Sequence, residues 1–143
     1  MRFWDSSAVV PLVVEEARSG KCRALRRADR TMVVWVLTRT EVLSALHRLV
    51  REGHLRKSDL ALAVRRLDTL SNTWTEVDAV EPTRERAERA LGVHVLTAAD
   101  AMQLGAALVA ARDRPKRRVF VTADERLADA ARAEGFDVVL PGE

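Results

Sequence analysis

With 143 residues, 48% hydrophobic and 31% charged, the chain has ordinary globular composition, which excludes a disordered protein and a membrane-embedded one. Its formal charge of +3 argues only weakly for a polyanionic partner, and Cys22, the single cysteine, excludes an internal disulfide and a thiolate zinc site. One domain over residues 1–143 is expected, and a cytoplasmic one, since no apolar run approaches the ~18 residues of a membrane helix and no leader pattern precedes the first element.

Phe3 and Trp4 form a short apolar stretch ending in Asp5, and Ser6-Ser7 lead into Ala8, Val9, Val10, Leu12, Val13 and Val14. This predicts a buried strand turning into a helix capped by Ser6 or Ser7, with Pro11 confined to its first turn or to a kink. Gly20 is expected to break the chain before a basic helix that reaches about Asp29. Thr31 to Leu37 is apolar throughout and rich in β-branched and aromatic residues, the pattern of a strand buried on both faces of a parallel sheet.

A helix from Thr38 to about Glu52 follows from the spacing of Val42, Leu43, Leu46, Leu49 and Val50, and Ser58 is expected to cap the next one. Trp74 to Val80 alternates like an edge strand, and Pro82 fits the first turn of a short charged helix ending near Gly92. Thr97 is placed to cap a long alanine-rich helix through about Ala111. Val119 to Val121 reads as a buried strand, Asp124 to Glu134 as a helix stopped by Gly135, and Asp137 to Leu140 as a last strand. Strands alternating with helices specify an α/β domain with a mainly parallel sheet, whose ligands bind beyond the carboxyl ends of the strands.

Four acids occupy such positions: Asp5 ends the first strand, Glu41 and Asp100 open helices, and Asp124 follows Val121. Close together, they would repel unless a divalent cation compensated them, and Mg²⁺ or Mn²⁺ is the natural occupant of an all-oxygen site. Such a site supports phosphodiester hydrolysis without histidine or cysteine. Each acid also has a local explanation. Glu41 and Asp100 follow Thr38 and Thr97 by three residues, the capping-box spacing, and Asp124 suits a helix dipole. Asp5 is less easily explained, because a carboxylate at the end of a buried strand needs a partner or a metal.

Charge is distributed unevenly. Ala17 to Arg30 carries six bases against Asp29, Arg112 to Arg118 carries five against Asp113, and the stretch from Val119 is net acidic. Basic clusters set apart from an acidic remainder fit a surface that meets phosphate, although solvated helix faces look alike. The chain has no tyrosine, and Trp35, Trp74 and Phe136 read as core residues rather than stacking platforms. Any RNA grip must come mainly from cations, with Arg48, Arg51, Arg56 and Arg112 to Arg118 as donors. His47, His54 and His94 have no ligand spacing, and neither a hydrolase elbow nor a phosphate-binding glycine loop occurs.

The segments Phe3 to Ala8, Thr38 to Leu46, Ala98 to Leu104 and Phe120 to Leu127, followed by Gly135 and Val138-Val139, resemble the successive motifs of PIN-domain proteins, VapC-type toxins most of all. The resemblance runs over nearly the whole chain. It implies a three-layer sandwich, a parallel sheet flanked by helices, and Mg²⁺- or Mn²⁺-dependent endonuclease activity on RNA. It further implies that Asp5, Glu41, Asp100 and Asp124 bind the metal, that Thr122 stands beside the last of them, and that the protein forms a homodimer met by a separate VapB-type antitoxin; Ser6, next to Asp5, is a secondary candidate by its position. Trp4 departs from the pattern, which more often has a smaller aliphatic residue before the acid.

Two other readings belong beside this one. A phosphoacceptor receiver domain is also α/β with an acidic pocket, but Asp5 is followed by serines and the only late lysine, Lys116, precedes its strand. A non-catalytic RNA-binding module of the same fold would be free to lose one of the acids, and all four are here.

Overall fold

The computed structural model describes residues 1–142. Its five strands are β1 (Arg2–Trp4), β2 (Met32–Trp35), β3 (Thr75–Val77), β4 (Val119–Val121) and β5 (Asp137–Val139). They form one sheet in the order β3-β2-β1-β4-β5, and every pairing is parallel. The helices are α1 (Ser6–Val13), α2 (Ser19–Ala28), α3 (Thr38–Arg51), α4 (Lys57–Ser71), α5 (Val80–Val93), α6 (Ala98–Ala110) and α7 (Glu125–Glu134).

Alternation of side chains along each strand builds the two cores. Trp4, Met32, Val34 and Val121 face one side and pack with Val9, Cys22, Leu46 and Leu67 of α1 to α4. Phe3, Val33, Trp35 and Phe120 face the other and pack with Ala90, Leu104, Leu127 and Ala131 of α5 to α7. The result is an α/β three-layer sandwich whose parallel sheet is buried on both faces. The strand order reverses at β1 and β4, so the switch point lies directly beyond Trp4 and Val121.

Several local expectations change. The first helix is capped by Asp5, whose side chain accepts from the Ser7 amide, so neither Ser6 nor Ser7 is the cap. Pro11 lies inside α1, beyond its first turn, on the buried face. Gly20 lies in the first turn of α2 rather than before it, and Ser58 lies inside α4, whose cap position is Arg56 with no side-chain bond to the helix backbone. Strand β2 is shorter than the apolar run Thr31 to Leu37, because Leu37 already has helical backbone and precedes α3. Helix α5 is not short; it begins two residues before Pro82 and runs for 14. Expectations for Thr97 and Gly135 agree with the structure, Thr97 capping α6 and Gly135 ending α7 at φ 108°, while the edge strand is present as β3 but spans only Thr75–Val77, because Val80 already begins α5.

Helices α5 and α6 pack nearly backbone to backbone at Gly105. A Cβ there would lie 2.5 Å from the Thr83 carbonyl oxygen and 3.1 Å from the Ala87 amide nitrogen. Because backbone cannot swing aside, Gly105→Ala is expected to lower the unfolding free energy by about 1–3 kcal/mol, through forced separation of the two helices. A urea midpoint equal to that of the wild type would contradict this close approach.

Candidate functional site: an acidic rim at the strand ends

Asp5 follows β1 and is held in the sheet by its own amide, which donates to the Val121 carbonyl at 3.0 Å. Its side chain is only 2% exposed. One oxygen, Oδ2, accepts from the Ser7 hydroxyl in a short bond, from Thr122 Oγ1 at 2.9 Å, and from the Ser7 amide at 3.3 Å. The two hydroxyls are braced in turn: Ser7 Oγ accepts from the Ala123 amide at 2.9 Å, and Thr122 Oγ1 accepts from the Asp124 amide at 3.1 Å. Among the described residues, the other oxygen, Oδ1, meets only the Ser6 hydroxyl, at 3.4 Å. One oxygen is fixed and the other is left nearly open.

This carboxylate has no cation among the groups that act on it. Burial raises its pKa from 3.8 to about 6, against the lowering effect of the Ser7 and Thr122 hydroxyls, and the negative charges of Asp100 and Glu41 raise it further. Asp100 is shifted upward as well, by burial and by Asp124, against its hydrogen bond with Thr97. These mutual influences link the four acids: Asp5 with Asp100 and Glu41, and Asp100 with Asp124.

The helices decide how each acid is presented. Thr38 does not cap α3; it is the first helical residue, fully buried, and its hydroxyl accepts from Gln103 Nε2 at 3.1 Å. The capping-box explanation of Glu41 therefore fails, and Glu41 instead accepts from the same Gln103 amide at 2.8 Å. For Asp100 half of that explanation holds, since its backbone amide donates to Thr97 Oγ1 at 3.2 Å. Asp124 is itself the cap of α7, with Oδ1 accepting from the Leu127 amide at 2.8 Å.

Glu41 and Asp100 open onto a groove of about 470 Å³ that runs along α3 past Ser44 and Arg48, against Ser6, Ser7 and Val10 of α1, with Arg18 at its side. Asp100 also borders a second cleft, shared with Asp124, Leu96 and Val95. Among the described residues, no three carboxylate, imidazole or thiol side chains gather into a ready metal-binding cluster. The donor set nonetheless fits a hard cation: it is all oxygen, partly buried, and mutually destabilising when charged.

The cations named from sequence divide. Arg48 lines the groove. Arg112 to Arg118 do not, because that loop, with Arg112, Asp113 and Arg117 at positive φ, leads into the start of β4 and so lies at the opposite rim of the sheet. Arg56 is paired with Asp59 at 2.9 Å. Gln103 was not singled out by the sequence, and neither was the role of Ser7; the only signals were their places three residues after Asp100 and two after Asp5. His47 and His54 are exposed, and His94 is 2.8 Å from Glu134.

A match to the PIN domain family covers residues 2–133. Among solved structures, the chain is similar to PAE2754 from Pyrobaculum aerophilum, with 21% identity and TM-score 0.67 over 96% of this chain and 88% of the other. It is also similar to FitAcB from Neisseria gonorrhoeae, with 15% identity and TM-score 0.69 over 99% and 98%. At these identities the likeness concerns the fold. No curated protein matches the sequence.

The Asp5 electrostatics have a thermodynamic consequence. A carboxylate at pKa 3.8 when unfolded and about 6 when folded costs nothing below the lower value, and destabilises the fold progressively as pH rises through the upper one. Above that, the cost is about 3 kcal/mol. Asp5→Asn keeps an acceptor oxygen and is expected to be more stable than the wild type by up to that amount at pH 7.5 in chelator, with the difference vanishing near pH 4. Urea titrations of both proteins at several pH values measure it, and a pH-independent difference would contradict it.

Proposed function

The chain belongs to the PIN-domain family, and from that premise we propose that it is a metal-dependent endoribonuclease, the toxin of a VapBC-type pair. The observation that carries the reading is Asp5: a buried carboxylate at the switch point, supported only by neutral hydroxyl and amide donors and acted on by two further acids. An uncompensated charge of this kind is expensive to bury, and a divalent cation would relieve it.

Asp5, Glu41, Asp100 and Asp124 are the residues proposed to hold Mg²⁺ or Mn²⁺, which when bound supplies Lewis acidity toward a phosphodiester and lowers the pKa of water. The chain's own residues do the rest. Ser7 and Thr122 fix Oδ2 of Asp5 and leave Oδ1 with only the long contact to Ser6, and the buried Gln103 amide holds the Glu41 carboxylate. Arg18 and Arg48 flank the groove, where guanidinium groups suit phosphate oxygens and would hold the RNA backbone against the acids. With every tryptophan buried and no tyrosine, recognition rests on backbone and shape more than on stacked bases.

The likeness to VapC-type toxins supports a cytoplasmic homodimer and a VapB-type antitoxin as partners. Val93 and Val95, 63% and 80% exposed beside the cleft that Asp100 and Asp124 share, offer an apolar surface for such a contact. No helix among the described residues is long and apolar enough to cross a membrane.

Purified protein is expected to cleave structured RNA with added Mn²⁺ or Mg²⁺ and to stop when the ion is chelated. Asp5→Asn and Asp100→Asn should each reduce cleavage at least about 100-fold while remaining folded. Equal cleavage by variants and wild type would reject the reading, as would the absence of Mn²⁺ binding by calorimetry.

A further inference from the structure

A second concave site lies away from the acids. Between α2 and α4, a cleft of about 490 Å³ is lined by Arg23, Arg26, Arg27, Arg65 and Arg66, with Leu12, Leu70, Thr69 and Thr73 completing it. The arrangement follows from helical spacing: Arg23, Arg26 and Arg27 stand at i, i+3 and i+4 on α2, and Arg65, Arg66 and Thr69 face them from α4.

Five guanidinium groups meet a single carboxylate there. Arg23 pairs with the exposed Glu15 at 2.7 Å. Arg26 has only the Thr73 hydroxyl, at 3.0 Å, and its buried Nε has no acceptor. Arg66 reaches the Val13 carbonyl at 3.4 Å. Arg27 and Arg65 have no side-chain hydrogen bond or ion pair among the described residues. Like charges are thus gathered into one depression by two helices whose apolar contacts lie beneath, an arrangement that an anionic ligand relieves.

We propose that this cleft binds the phosphodiester backbone of the RNA substrate, away from the cut, as a positioning site. The inference rests on the nuclease reading above. Three features favour an RNA strand over other anions. The guanidinium groups lie along two helices, and Arg23 and Arg27 alone are about 6 Å apart on the axis, which suits successive phosphates better than one small anion. The donors are arginine guanidinium groups with no aromatic group beside them, which suits backbone rather than base contact. Helix α2 also joins the two sites: Arg18, the residue before its first turn, borders the acidic groove, and Arg26 lies about 12 Å further along the axis. Glu15, Glu16 and Asp59 border the surface between them and keep the cleft a separate station.

The test uses Arg27→Ala/Arg65→Ala, which removes two cations that hold nothing in the fold. A fluorescent single-stranded oligoribonucleotide is titrated with full-length protein in chelator over a salt series. The variant should bind at least about tenfold more weakly at low salt, and its log–log salt slope should be shallower by about 1.4, the loss of two single-strand phosphate contacts. Unchanged affinity and slope would overturn the proposal, even if the wild type cleaves RNA with Mn²⁺. Displacement of the RNA by polyglutamate or pyrophosphate at equal charge concentration would also overturn it, assigning the cleft to an acidic peptide or a small anion. Absence of Mn²⁺-dependent cleavage by wild type would instead reject the nuclease reading, leaving the binding comparison to decide the cleft.

Discussion

Burial of the Asp5 carboxylate is the constraint on which the rim of this molecule is organised. Its backbone amide is committed to Val121, so the side chain cannot leave the switch point without loss of sheet pairing. Its surroundings are therefore built to tolerate it: two hydroxyls donate to one oxygen, and each of those hydroxyls accepts from a backbone amide in the segment Ala123 to Asp124. The same network of four hydrogen bonds ties the start of α1 to the end of β4, so support for the acid and closure of the sheet's central pair are one structure. What the network does not provide is a positive charge.

The parallel sheet multiplies this situation. Strands β1, β2 and β4 are adjacent and all end at one rim, so the segments after them are brought together whatever their separation in sequence. Helices α1, α3, α6 and α7 then present Asp5, Glu41, Asp100 and Asp124 at or near their first turns, where the helix dipole favours negative charge. The dipoles moderate the cost of gathering acids and do not cancel it, as the upward shifts of Asp5 and Asp100 indicate. Stability is given up at the rim and recovered in the two apolar layers, where residues such as Trp4, Leu46, Phe120 and Leu127 are wholly buried.

Much of the fold is legible in the chain because its signals are local. Thr97 before an alanine-rich stretch and Gly135 after a helical one mark helix ends through hydrogen bonds within a few residues. Where local signals misled, another contact had prevailed, near in sequence in one case and distant in the other. Ser58 has the chemistry of a cap, yet Arg56 takes the position and pairs with Asp59. Thr38 stands at capping-box spacing from Glu41, yet it is buried in α3, where its hydroxyl accepts from Gln103, 65 residues away. The basic run Arg112 to Arg118 looks like a phosphate grip in sequence, but the topology assigns it to the entry of β4, and the arginines that do share a concave surface come from α2 and α4, with β2 and α3 lying between them in sequence.

The sequence by itself determined the class of fold, the order of elements and the identity of the four acids, since hydrophobic periodicity and residue type are written along the chain. Only the tertiary structure decided which of those acids is strained, what holds it and which cations face it. Asp5 is singled out by Thr122 from across 117 residues and by the charges of Glu41 and Asp100, and Glu41 is separated from its capping role by Gln103. Desolvation, charge repulsion and hydrogen bonding between distant residues act only once the sheet has brought their segments to one rim, so no local pattern encodes them.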